Sequence, residues 1–126
     1  MEDFNLILKS LISKDINKVH AELLSESMKK EFDKTADVYV ANGNFSNAIK
    51  AYAITGNKEK LVDTSLKCLE NNQPYDALLG FSFAEDVDNL NKVGFILLQI
   101  PDVDSALVAF KKSKNEEMTS FIKSNF

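Results

Sequence analysis

The chain has 126 residues, 44% of them hydrophobic and 27% charged, which suits one folded domain and excludes a disordered polymer. Fifteen basic residues stand against 19 acidic ones for a formal net charge of -4, and every basic residue other than His20 is a lysine. With no arginine fork to grip phosphate and no basic excess, this composition argues against a nucleic-acid partner.

The first helix is expected from about Asp3 to Ser13. Its Phe4, Leu6, Ile7, Leu8, Leu11 and Ile12 cover most of a helical circumference, more apolar surface than an end helix can hide on one neighbour. A break at Lys14 and Asp15 leads into a second helix through Ile16, Val19 and Leu23. His20, beside Val19, reads as a partly buried, hydrogen-bonded side chain without a ligand role.

The next pair is the clearest. Phe32, Ala36 and Tyr39 line one helical face, Asn42 to Asn44 interrupt it, and Phe45, Ala48, Ile49 and Tyr52 resume the three- and four-residue spacing. Gly43 is expected at positive φ, closing one helix before Asn44 caps the next, and Thr55, Gly56 and Asn57 repeat the stop signal. A third pair starts near Lys58 with Leu61, Leu66 and Leu69, breaks at Asn71 to Gln73, and restarts at Pro74, a residue suited to a first helical turn. A fourth starts near Val87, breaks at Pro101 and Asp102, and continues through Val103, Ala106, Leu107 and Phe110. Beyond Lys114 one more helix carries Met118, Phe121 and Ile122 on one side and polar residues around the other, as a cap should.

These elements repeat. Ala48, Ala77 and Ala106 are successively 29 residues apart, with Val19 one step earlier, and Leu23, Tyr52, Phe81 and Phe110 follow on a second register. The alanines are expected where the two helices of a pair approach most closely. Cys68 falls on the register of Tyr39 and Leu97 and reads as a small core residue. The pairs Asp86/Asp88 and Asp102/Asp104 lack the glycine and closing glutamate of a calcium loop and read as helix caps. No cofactor or metal motif is present, and the sequence reads as that of a non-catalytic protein.

Phe32, Ala36, Tyr39, Gly43, Phe45, Ala48 and Tyr52 occur in the order and spacing of the tetratricopeptide repeat, which residues 30–56 resemble. The 29-residue unit is shorter than that family's and is also similar to the helical hairpins of clathrin-type and coatomer-type solenoids. The resemblance implies one all-α domain over residues 1–126, a right-handed superhelix of four hairpins plus a carboxy-terminal capping helix. It further implies partner binding on a concave face formed by the first helices. The carboxylate clamp is absent there, since Phe4, Leu8, Asp33, Asp37, Val62, Asp63, Leu66 and Phe95 hold comparable places and Asn91 and Lys92 alone are too few for a bidentate grip. The expected ligand is therefore an apolar or helical segment of a protein partner, held by Phe4, Leu8, Leu11, Ile12, Val62, Leu66 and Phe95. The alternative is a self-associating, coat-like scaffold that uses the first helix as a subunit contact. The longest apolar run, Gly94 to Leu98 extended to Ile100, is too short to span a bilayer, and the amino terminus has no basic region followed by a cleavage site, so the expected location is cytoplasmic, without membrane insertion.

Overall fold

The computed structural model of the protein describes residues 4–14 and 23–126, with Phe4 and Asn5 described by their backbone alone. The described residues form eight helices and no strand: α1 (Phe4–Ile12), α2 (Glu26–Ala41), α3 (Phe45–Thr55), α4 (Lys58–Glu70), α5 (Pro74–Ala84), α6 (Val87–Gln99), α7 (Val103–Lys112) and α8 (Glu116–Asn125). None is long and apolar enough to cross a membrane.

Short polar side chains start these helices. The Oδ1 atoms of Asn44, Asn57, Asp86, Asp102 and Asn115 accept from the backbone N–H three residues on, at 3.4, 3.2, 3.2, 3.0 and 3.1 Å. Each satisfies an amide that the helix itself leaves orphaned. Asp86 and Asp102 are thus caps, and Asp88 and Asp104 lie in the first turns that follow. α5 starts differently, with Pro74 at its first turn and no side-chain cap from Gln73.

The turns repeat as the helices do. The N–H of Asn44, Gln73 and Asp102 donates to the carbonyl five residues back, at Tyr39, Cys68 and Leu97, over 2.8, 2.8 and 2.6 Å. Asn57, Asp86 and Asn115 do the same to Tyr52, Phe81 and Phe110. At five of these six turns the residue just before the donor is left-handed, and before Asp102 that place is held by Pro101. The left-handed residues are Gly43 (φ 76°) and Asn72 (φ 55°) in the first series, and Gly56 (72°), Glu85 (55°) and Lys114 (60°) in the second. The expected positive φ at Gly43 is what the structure has.

Most contact is made within the pairs α2–α3, α4–α5 and α6–α7, then between each pair and the next helix in sequence. Between pairs, the second helices also touch one another, α3 with α5 and α5 with α7. The core repeats at the same interval, with Phe32/Leu61/Leu90, Ala48/Ala77/Ala106 and Tyr52/Phe81/Phe110 all buried. Burying each large side chain stabilises the fold by about 1.5–3 kcal/mol.

The helices approach closely at two glycine sites. A Cβ on Gly80 would lie 1.8 Å from Oγ of Ser65, and one on Gly94 would lie 2.6 Å from the Phe110 ring. Ala51, Gly80 and Ala109 form a second buried small-residue series, 29 residues apart, that the sequence reading passed over. Ala36, Ser65 and Gly94 are its counterpart on the facing helices.

The two ends depart from the repeat. α1 packs on α2 and α3 as α3 packs on α4 and α5, so it occupies the place of a second helix, not the first-helix place expected of it. Ile16, Val19 and His20, and with them the expected second helix of that unit, lie outside the described residues. Leu23, expected on the register of Tyr52, Phe81 and Phe110, is instead 79% exposed. At the other end, α8 has Thr119 and Lys123 where α6 has Leu90 and Gly94, so its flank for a following helix is polar. Ile122 faces the core and Met118 packs at its margin, whereas Phe121, expected beside them, is exposed.

Candidate functional site

The repeat leaves one exposed stripe on each first helix, and the stripes correspond residue for residue. On α4 it runs Glu59, Asp63, Leu66 and Glu70; one period later on α6 it runs Asp88, Lys92, Phe95 and Gln99. α2 contributes Lys30, Lys34, Asp37 and Ala41, and α8 contributes Glu117, Phe121 and Ser124. Spacings of three and four residues put each set on one helical face, and the buried residues of the same helices occupy the opposite face.

Leu66 and Phe95 hold the same place on consecutive first helices, at 39% and 48% exposure. An isolated exposed apolar residue is ordinary; two on one register, with Phe121 on the next stripe, are not. Phe95 is held in position by the core beneath it. Its ring meets that of Phe110 edge-on, with centroids 5.1 Å apart and planes at 74°. The same Phe110 occupies the space over Gly94, so the exposed ring rests on a close contact of its helix pair.

A cleft of about 530 Å³ separates α2 from α4, lined by Asp37, Val40 and Ala41 on one side and by Lys60, Asp63, Leu66, Lys67 and Glu70 on the other, with Tyr52 and Thr64 below. The Tyr52 hydroxyl donates to Asp37, whose Oδ1 is also 3.9 Å from Nζ of Lys60. Burial, then the bond to Asp37, pushes the Tyr52 phenol well above its ordinary pKa, so it stays a neutral donor.

Below this surface two polar ties fix the first helices. Asp33 accepts from Oγ1 of Thr55 at 2.6 Å and from Nδ2 of Asn57 at 3.1 Å, joining the middle of α2 to the turn that opens α4. Two periods later Asn91 accepts from Oγ of Ser113 at 2.7 Å and from Nδ2 of Asn115 at 3.2 Å, joining α6 to the turn that opens α8. Between them the corresponding places hold Val62, Ala84 and Asp86, so the central unit substitutes apolar packing. Asn57 and Asn115 each serve twice, capping a helix with one side-chain atom and tying it with the other.

The residues expected to hold a partner are thus divided. Leu66 and Phe95 are at the surface on equivalent stripes, and Val62 is half-buried against the core beside them. Leu8 is fully buried, and Leu11 and Ile12 are half-buried against the core, so the apolar stripe of α1 is mainly an internal packing face. The outward apolar residues of α1 are Leu6, 65% exposed, and Ile7; the Phe4 side chain lies outside the described part. Phe121 was missed as a surface residue because its spacing from Met118 and Ile122 reads as part of their buried face.

Among the described residues no three or more histidine, cysteine or acidic side chains gather as metal ligands. Cys68 is a buried free thiol whose burial, aided by Asp76, pushes its pKa up to about 12. It is therefore a poor nucleophile. No protein-family model, curated protein or solved structure matches the chain.

Proposed function

We propose that the protein is a non-catalytic protein-interaction module, a tetratricopeptide-like, right-handed stack of helical hairpins that offers the exposed face of its first helices to an apolar or helical segment of a partner. One observation carries this reading: Leu66 and Phe95 are exposed at equivalent places on α4 and α6, and Phe95 is braced from below by Phe110. A surface fixed before the encounter loses little conformational entropy on binding, and a few desolvated apolar anchors then supply most of the affinity. The neutral, buried thiol of Cys68 supports the non-catalytic assignment and suits a reducing compartment such as the cytoplasm.

The test is a comparative pull-down with the parent chain and the Leu66→Ser/Phe95→Ser variant, both checked for intact helical signal. Specific proteins identified by mass spectrometry should leave the captured set with the variant. An unchanged set from a folded variant overturns the assignment of this face. The second reading, a self-associating scaffold, is favoured by the exposure of Leu6 and Leu23 towards the amino-terminal end. It requires a concentration-dependent mass in light scattering.

A further inference from the structure

Of the four glycines in the chain, Gly43 alone follows an asparagine. That pairing has a chemistry of its own. The backbone nitrogen of the residue after an asparagine can attack the asparagine side-chain carbonyl and close a cyclic imide, and glycine, with no Cβ, hinders the attack least. Asn42 is exposed at the carboxy-terminal end of α2.

The turn holds the two groups apart. Asn42 has ψ 3°, which eclipses the Gly43 nitrogen with the nitrogen of Asn42 itself and turns it away from Cβ, the atom that carries the side-chain amide. The N–H of Gly43 donates to the Val40 carbonyl at 3.0 Å, and that of Asn44 closes the turn on Tyr39 at 2.8 Å. Rotating Asn42 to bring the Gly43 nitrogen over its side chain breaks both bonds. The reaction therefore waits for the turn to open, and its rate in the folded chain is the intrinsic rate multiplied by the open fraction.

We infer that Asn42 is a self-modification site guarded by the α2–α3 turn, converted to aspartate and isoaspartate when that turn opens. The Gly43 nitrogen bonds to Cγ of Asn42, the Cγ–Nδ2 bond breaks, and Nδ2 leaves as ammonia with the proton that Gly43 gives up. Water then opens the imide. Its addition at Cγ breaks the new bond and leaves aspartate; its addition at the backbone carbonyl carbon breaks the original peptide bond and leaves isoaspartate, whose chain runs through Cβ and Cγ. Either product puts a carboxylate, ionised at neutral pH, at the end of α2 where the helix dipole is already negative. Isoaspartate also adds the Cβ methylene to the backbone inside the closure from Tyr39 to Asn44, so the turn cannot re-form as it was. The change is a lasting mark of chains whose α2–α3 turn has opened. Val40 and Ala41 line the cleft towards α4, so the mark falls beside that cleft.

The full chain is incubated at mildly alkaline pH in buffer and in guanidinium chloride, then returned to buffer and cut by trypsin after Lys34 and Lys50 for mass spectrometry. Electron-transfer fragmentation separates isoaspartate from aspartate. The fragment 35–50 also contains Asn44 and Asn47, which precede Phe45 and Ala48 and serve as internal controls. In guanidinium Asn42 should convert at least about tenfold faster than either control, and at least about tenfold faster than in the folded chain. Gly43→Ala should slow the unfolded rate several-fold through its Cβ. Asn44→Ala, which removes the side-chain cap of α3, should speed conversion in buffer several-fold while the helical signal persists. The isolated isoaspartate form should melt below the Asn42→Asp variant, which carries the charge without the longer backbone.

Conversion of Asn42 no faster than that of Asn44 and Asn47 in guanidinium overturns the site. Equal rates in buffer and in guanidinium, or an unchanged rate in folded Asn44→Ala, overturn the turn as its guard. An isoaspartate form that melts together with Asn42→Asp overturns the effect on the closure.

Discussion

Gly80 shows how closely single atoms are fitted in this fold. The position has ordinary helical geometry, so its need for glycine comes from the neighbour, Ser65, whose Oγ donates to the Leu61 carbonyl at 2.6 Å. Gly80→Ala should destabilise by about 1–3 kcal/mol through overpacking. Adding Ser65→Ala should recover part of that loss, a coupling that a double-mutant cycle of denaturant melts reads directly. At Cys68 the fitted quantity is charge. Its thiol keeps its proton up to about pH 12 in the folded chain against an ordinary value of 9.0, so above pH 9 the unfolded chain releases a proton that the folded chain retains. Unfolding is therefore favoured as pH rises through that window, and the contribution is fully present below it. Comparison with Cys68→Ala isolates the effect: the variant should lose stability less steeply between pH 9 and pH 11. The native thiol should also resist a colorimetric disulfide reagent until denaturant is added.

At the scale of the element, the repeat unit lies in its turns as much as in its helices. Glu85 and Lys114 adopt the left-handed conformation that Gly56 holds one and two periods earlier, and a side chain there strains against its own backbone. Glu85→Gly and Lys114→Gly should each raise stability by up to about 1 kcal/mol, seen as a higher melting temperature, since relief of strain outweighs the added freedom of the unfolded chain. Gly43→Val should do the reverse by about 1–2 kcal/mol. The polar ties make a separate prediction. Asp33→Ala leaves Thr55 and Asn57 without their shared acceptor, and Asn91→Ala does the same to Ser113 and Asn115, so each should cost about 1–2 kcal/mol. The ties join different helices and share no residue, so the double variant should show the sum.

At the scale of the whole molecule, α1 and α8 are the helices that depart most from the recurring core, and each divides its apolar residues between inside and outside. α8 has Thr119 and Lys123 where α6 has Leu90 and Gly94, the latter against the Phe110 ring. α1 buries Leu8 and leaves Leu6 and Ile7 outside. These two kinds of position should respond oppositely to charge. Leu8→Glu should unfold the amino-terminal part of the stack, costing more than about 3 kcal/mol as an unpaired buried charge. Leu6→Glu/Ile7→Glu should leave the melt near that of the parent. If the chain self-associates, the same double variant should be monomeric in light scattering, and persistent association would move the subunit contact away from α1.

Much of this architecture was legible before any coordinates. Alanine and aromatic residues returning every 29 positions reflect a local requirement, since each helix pair needs the same small contact and the same ring. A chain that repeats those needs announces its period. The helix starts at Asn44, Asp86 and Asp102 were legible for the same reason, because a cap acts within three residues of itself, whereas Asn57 read as part of a stop signal and also caps α4. What only the tertiary structure decided is which apolar residues remain outside. Leu8 and Leu66 look alike as sequence, each an apolar residue among helical neighbours, yet one is enclosed by α2 and α3 and the other is left at the surface. Phe121 shares its spacing with a buried face but turns away from it, and Leu23 keeps the register of Tyr52 without the partners that bury Tyr52. Periodicity states that a residue is apolar and on which side of its own helix it lies; burial depends on what the rest of the chain brings against that side.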